Sequence, residues 1–418
     1  MRPRRSLMLA LGGGLALALV TTQPAVAAST TWVASGNSWW STATWSGAVP
    51  AAGDDVTFAG GPLSTYNLGN LSFASFTFAA THTIMSDTGA IALTDGLQVA
   101  PSVIARIQPQ LTASGAQTWS VASAAELQLP SAVYTDGAAT LTLAIEGSMT
   151  IEAAGNLDAL GTGCIVKSGA GVLRLLGGGG GMGTCAGQPR GLHVTAGEVA
   201  IVGTPNLGGK DFAVTGGVFT GGTASGAAVV HELNLAGSGV VSPGPSSGAG
   251  IGNVSLWGTS AWTGGTYQVD WDATADDADY VAGANQAISV TGTRLDVRLA
   301  GTPTAGETVR ILGSDIGFSG QFSSPVGTAL ADGDEFTSNG QVYSIAYTAS
   351  GANSGAVLTW LRAAPAASPS PSPSPAAADP GLAATGAADG APLALGGAAA
   401  ILTGIVLLAR RRRPARIR

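Results

Sequence analysis

From Ala28 to Leu361 the chain is a series of short runs in which apolar and polar residues alternate, separated by glycine, serine, threonine or asparagine. In LTLAIEG the apolar places are Leu141, Leu143 and Ile145, and in SMTIEAAG they are Met149 and Ile151. HELNLAG repeats the pattern with Leu233 and Leu235, and RLDVRLAG with Leu295, Val297 and Leu299. A period of two puts successive side chains on opposite faces of a strand, so each run reads as a half-buried strand. Outside the two terminal stretches no segment carries the spacing of an amphipathic helix. A long chain of short strands without helices leaves two architectures, a sandwich array or a β-solenoid. The turns are rich in glycine, which numbers 63 against 21 prolines. In a solenoid each coil pairs with the next over a stack of small apolar residues.

The two ends differ in kind. Arg2, Arg4 and Arg5 precede the apolar stretch LMLALGGGLALALV, which ends in Ala25-Val26-Ala27. A basic start, an apolar middle and a small-x-small site make a secretory signal peptide over residues 1–27, cleaved after Ala27. At the other end, residues 391–409 carry no charge and approach the roughly 20 residues a helix needs to cross a bilayer. Arg410 to Arg413 follow, which keeps this end in the cytoplasm and puts residues 28–390 outside. The many alanines and glycines make it a weak span, suited to a temporary stop. Residues 363–380, AAPAASPSPSPSPAAADP, alternate serine and proline and read as a semi-rigid polyproline II stalk after an ectodomain of residues 28–362.

Between stalk and span stand Leu382, Ala383, Ala384, Thr385 and Gly386, with Pro380 and Gly381 ahead to keep the peptide extended. This peptide, its apolar tail and its basic end resemble a sortase cell-wall sorting signal, in the Leu-Ala-x-Thr-Gly variant with Ala383 where proline is common. The resemblance implies that residues 381–418 are a sorting signal. A sortase would cleave the Thr385–Gly386 bond and pass the threonine carbonyl to an amine of peptidoglycan. It places the protein in the wall of a Gram-positive bacterium, held by the membrane helix before sorting.

A second resemblance concerns the ectodomain. Lys167, Gly169, Gly171, Leu173, Leu175, Val194, Gly197 and Val199 follow the order of an autotransporter-associated β-strand repeat. Leu111–Val121, Val240–Gly252 and Asp276–Gly301 are similar to further pieces of such proteins. Glu307–Phe322 and Tyr343–Trp360 resemble their closing coils, and Trp32–Phe58 their opening segment. The resemblance implies a right-handed parallel β-helix. It also implies coils on the order of twenty residues, so that Cys164 and Cys185 would stack one coil apart and pair in an oxidising compartment.

Without its two ends the chain holds nine Lys and Arg against 24 Asp and Glu. Such a balance argues against a nucleic-acid partner, which needs a basic surface. The chemical motifs are sparse. Gly244-Pro245-Ser246-Ser247-Gly248 fits G-x-S-x-G, but no helical pattern follows it and Pro245 precedes the serine; it reads as a turn. Gly177–Gly181 lack the Lys-Ser/Thr of a phosphate loop. His82, His193 and His231 have no zinc spacing, and His193 and His231 read as hydrogen-bonded structural histidines.

Asp270, Asp272, Asp276, Asp277 and Asp279 crowd together and offer oxygens for calcium, although the EF-hand places do not fit. The simpler reading is a solvated acidic loop. Trp32, Trp39, Trp40 and Trp45 read first as a cap on the open first coil and second as a face on which sugars stack. No catalytic residues and no cofactor are expected, calcium apart. The expected role is structural or adhesive, through an extracellular ligand. The alternative is a polysaccharide-active β-helix enzyme, marked by a cleft with converging carboxylates on one face.

Overall fold

A computed structural model describes residues 28–33, 38–86, 89–136, 139–152, 157–159, 163–176, 191–203, 206–245, 250–348 and 354–365. Among these residues there is one 3-10 turn, Thr42–Thr44, and otherwise only strand and loop. The strands wind into an all-β parallel solenoid of about 10 turns. No helix among the described residues is long and apolar enough to cross a membrane.

Each coil contributes strands to three faces. Face A holds Asp55–Phe58, Gln117–Val121, Thr140–Ile145, Cys164–Ser168 and Leu192–Val194. Face B holds Leu63–Tyr66, Glu126–Leu129, Ser148–Ile151, Val172–Leu175, Glu198–Ile201, Val218–Gly221, Val240–Pro243 and Thr266–Asp272. Face C holds Gln110–Ala113, Val133–Thr135, Asn253–Leu256 and Tyr280–Gly283. Longer strands, such as Leu71–Phe78, Ala90–Val99, Asn206–Val214 and Ala227–Leu235, run from face C into face A.

The period-two alternation explains the core. On face A, Val56, Phe76, Leu97, Trp119, Leu143, Lys167, Val194, Val214, Leu235, Trp262 and Val290 stand in register, each on the next coil. Every one of these is buried. Neighbouring parallel strands lie about 4.8 Å apart, so inward side chains of one column touch and exclude water along the whole stack.

The exception in that column is Lys167. Its side chain is fully buried, yet its Nζ donates to the carbonyls of Ser168 (2.9 Å), Gly169 (2.7 Å) and Ala196 (3.1 Å). All three ammonium protons are therefore used at the corner between faces A and B. Burial pulls its pKa down to about 8, against the pull of Glu146 and Glu198, which favour the charge. The lysine of the K-x-G-x-G pattern thus acts as a clasp on two successive turns.

The glycines of the same pattern have a steric cause. Gly147, Gly171, Gly197, Gly217, Gly239 and Gly265 each immediately precede a face B strand, on successive coils. Their carbonyls accept from Val172, Glu198, Val218, Val240, Thr266 and Arg294 in turn. A Cβ on Gly171 would lie 2.0 Å from the Gly147 carbonyl oxygen, and one on Gly197 would lie 2.4 Å from that of Gly171. Backbone packs directly on backbone down this corner, which leaves no room for a side chain.

The ends of the stack are built differently. At the first coils Trp32, Trp39 and Trp45 are buried together with Phe58, Phe73, Phe76 and Phe78. At the other end the strand direction reverses. Glu335–Ser338, Gln341–Thr348 and Ser354–Ala363 pair antiparallel, and the last of them closes on Thr308–Ser314. The expectation that Tyr343–Trp360 forms closing coils is corrected here: an alternating pattern marks a strand but not the direction of its partner. Glu307–Phe322 does supply coil strands, since Leu312 and Phe318 are in parallel register with Val281 and Ile288.

Candidate functional site

The outward side of face B carries a cleft of about 170 Å³ lined by Glu198, Thr220, Ser242, Pro245, Gln268, Asp270 and Arg298. The alternation that sends Tyr267, Val269 and Trp271 into the core turns Gln268 and Asp270 outward into this cleft. Both are more than nine-tenths buried. Thr220 Oγ1 donates to Glu198 Oε1 at 2.7 Å, and the Gly250 amide donates to Asp270 Oδ2 at 3.3 Å. Gln268 Nε2 and Asp270 Oδ1, in contrast, have no hydrogen-bond partner. A buried donor and a buried acceptor left open cost about 1–3 kcal/mol each, which a ligand offering hydroxyls can recover. Arg298, in register with Asp270 on the following strand, adds an exposed cation at the rim.

The five aspartates do not gather as one group: Asp270 and Asp279 are buried, whereas Asp272, Asp276 and Asp277 lie on a solvated turn. Asp279 is fully buried; Oδ1 accepts from the Gly252 amide (2.8 Å) and Oδ2 from the Asp270 amide (2.9 Å). Burial nevertheless outweighs those two bonds and lifts its pKa to about 8. Asp272 Oδ1 accepts from the Thr274 and Ala275 amides and closes a tight turn. That turn brings Asp277–Ala278 back antiparallel to Trp271 and Asp272. Asp276 and Asp277 line a different, open cleft of about 380 Å³ with Asn253, Tyr280 and Arg310. Strand alternation and the turn point these carboxylates in different directions. Among the described residues, three metal-ligating side chains converge within 4.8 Å at Asp211, His231 and Glu232 instead.

The tryptophans divide in the same way. Trp32 and Trp39 are fully buried and Trp45 nearly so, and their rings meet edge to face at 4.9 Å and 5.1 Å. Rings enclosed by protein offer no face to a sugar. Trp40 alone of the four is exposed, at 64%, with Nε1 donating to the Asn67 carbonyl at 2.7 Å.

His82 is buried between the Ser64 hydroxyl (2.8 Å) and the Gly61 carbonyl (2.6 Å) and stacks on Phe58. Burial lowers its pKa, ahead of the opposing backbone bonds. His231 is half-exposed and bonds Asp211 at 2.6 Å. Sequence reasoning marked that histidine as hydrogen-bonded but missed its partners, because Asp211 lies one coil away and only the register of the coils brings it alongside.

Several expected features lie outside the described residues: residues 1–27, residues 366–380 of the stalk, the sorting peptide Leu382–Gly386, the 391–409 span, Gly177–Gly181, Ser246–Gly248 and Cys185. For Cys164 the register is informative. Ile165 pairs with Leu192 on the next coil, so the backbone place beside Cys164 falls at Gly191 rather than at residue 185. This coil, from Lys167 to Val194, is longer than the twenty or so residues that would stack Cys164 on Cys185. Compared with models of known protein families and with curated proteins, the chain matches none.

Proposed function

We propose that this protein is a wall-anchored surface protein whose solenoid binds a polyhydroxylated ligand, a glycan of a surface or of another cell, in the cleft on face B. The observation that carries the binding role is a pair of unpartnered groups, Gln268 Nε2 and Asp270 Oδ1, buried in two residues that line that cleft. A sugar hydroxyl is donor and acceptor at once and satisfies both. The anchoring role rests on the sequence: the signal at residues 1–27, the Ser-Pro stalk and the Leu382–Gly386 motif with its apolar tail. The repeat resemblance at Lys167–Val202, now with a physical reason for its lysine and glycines, supports a right-handed winding of the coils.

The binding role is tested by titrating the protein with a panel of soluble polysaccharides. One of them should bind, and Gln268→Ala with Asp270→Ala should weaken it at least tenfold; equal binding by the double variant refutes the site. Anchoring is tested separately. Thr385→Ala should move the protein from the wall fraction to membrane or medium, and retention in the wall after hot detergent refutes sorting by this motif. The Cys164–Cys185 bridge also stands as a proposal, and two alkylatable thiols in the denatured, unreduced protein would remove it.

A second reading has its own observation. Glu198 and Asp270 present two carboxylates to one cleft, the arrangement a polysaccharide hydrolase or lyase needs. A reducing-end assay on the polysaccharide that binds separates the two: new ends that vanish in Asp270→Asn favour the enzyme.

A further inference from the structure

We infer that Asp211, His231 and Glu232 form a binding site for one divalent transition-metal ion of the zinc type, at the corner between faces C and A. The ligand atoms of the three side chains all lie within 4.8 Å of one another. Tetrahedral ligation with bonds of roughly 2.0–2.2 Å sets its donor atoms a little over 3 Å apart, so small side-chain shifts suffice. One imidazole and two carboxylates are a donor set that zinc accepts, with a fourth place open to water.

The backbone holds the three donors in place. Asp211 and Glu232 are in parallel register on adjacent coils, so their side chains leave the sheet on the same side one strand spacing apart. His231 is next to Glu232 in the long strand Ala227–Leu235, where the chain turns from face C to face A. The Asp211 side chain is only 4% exposed, and among the described residues it accepts a hydrogen bond from His231 Nδ1 at 2.6 Å. A carboxylate so deeply placed gains from a bound cation, which offsets the cost of holding its charge away from water.

Two glycines frame the cluster. Gly191 is the backbone neighbour of Asp211 on one side, since Leu192 pairs with Phe212, and a Cβ there would lie 1.8 Å from the Asp211 carbonyl oxygen. Gly258 lies on the other side, and a Cβ there would fall 2.5 Å from Glu232 Cγ and 2.9 Å from His231 Cε1. The adjoining coils thus approach the donors as bare backbone. Glu232 Oε2 also accepts from the Asn234 amide at 3.5 Å, which orients the carboxylate at its outer edge. Ligation through Nδ1 leaves Nε2 to carry the ring proton. The ring's 38% exposure leaves room for that proton to meet water.

The test uses the untagged full chain, stripped with a chelator and titrated calorimetrically with zinc chloride alone. The expected result is uptake of one zinc per chain, weakened at least tenfold by Glu232→Gln and lost to background in His231→Ala. Glu232→Gln leaves the Asp211–His231 bond in place, so a purely structural pair predicts no change in that variant. Circular dichroism of both variants checks that they are folded. No zinc uptake by the wild-type chain, or a Glu232→Gln chain binding within tenfold of it, overturns the site.

Discussion

The two ends of the solenoid solve one problem by opposite means. A parallel stack ends in a strand whose outer backbone groups and inward side chains lack a following coil. The first coils answer with rings. Trp39 alone meets Trp45, Phe58, Tyr66, Phe73 and Phe76 with centroids 5.0–6.1 Å apart. The last coils answer with direction and hydrogen bonds. Strands turn antiparallel, and buried hydroxyls stitch the closure: Ser314 Oγ to the Gln286 carbonyl, Ser354 Oγ to the Ser314 carbonyl, Ser338 Oγ to the Val297 carbonyl. At the first end the rings fill the coil, and one antiparallel bridge between Trp32 and Trp45 is enough to pair the first strand. At the other end the chain must reverse, and each reversal exposes backbone groups that need named partners.

The sharpest way to break this comparison is at Trp39. Trp39→Ala should cost ~3–5 kcal/mol of unfolding free energy, since the ring is fully buried and its neighbours cannot close over the gap. A chemical denaturation midpoint close to wild type would show that the rings are decoration and not a plug.

The coils between the ends should be next most sensitive, through the glycine corner. Gly171→Ala forces a methyl into the Gly147 carbonyl and should cost about 1–3 kcal/mol. At Gly197, with φ +65°, a Cβ meets the Gly169 and Gly171 carbonyl oxygens at 2.4 Å, whereas at Gly115, with φ +88°, it meets nothing within 4 Å, so Gly115→Ala is the φ-only control for Gly197→Ala. Equal effects at Gly197 and Gly115 would refute the close-packed corner.

The polar character of the later coils has a pH signature. Asp279 keeps its proton to about pH 8 in the folded protein but loses it near pH 4 when unfolded. The folded state therefore binds more protons between those values, and the stability this group supplies falls as pH rises from 4 to 8. The denaturation midpoint of wild type minus that of Asp279→Asn should decline across this window. A flat difference would mean that the two amide bonds hold the carboxylate ionised.

The smallest effect is expected at Tyr343. Its ring is buried against Phe336 and Trp271, but its hydroxyl has no partner. Tyr343→Phe keeps the ring and removes a buried polar group, so stability should change by less than about 1 kcal/mol or rise. A loss comparable with that of Trp39→Ala would place the hydroxyl in the network that closes this end.

Much of the fold was legible because alternation is a local property. Leu141, Leu143 and Ile145 announce a strand and its buried face without any knowledge of neighbours, and all three are in the core. The repeat pattern likewise pointed to Lys167, Gly171 and Gly197, although their reasons needed the stacked turns. The candidate site was hardly legible. Nothing near Gln268 in the sequence tells that its amide lies unpartnered under a cleft shared with Glu198, three coils earlier. The cluster at Asp211, His231 and Glu232 was hidden for the same reason, and the aspartates that stood together in the sequence were separated by one tight turn.

By itself, then, the sequence determined the strands, their inward residues and the glycine punctuation, because each depends on residues a few places apart. The register between coils, the reversal at the last strands and the meeting of side chains from different coils were decided only in the tertiary structure. Coil length varies along the chain, from Val56 to Phe76 at one step and from Trp262 to Val290 at another, and no local rule sets it. A one-residue change in any coil would turn a different set of side chains outward, so what converges on the surface follows from the sum of all the turns before it.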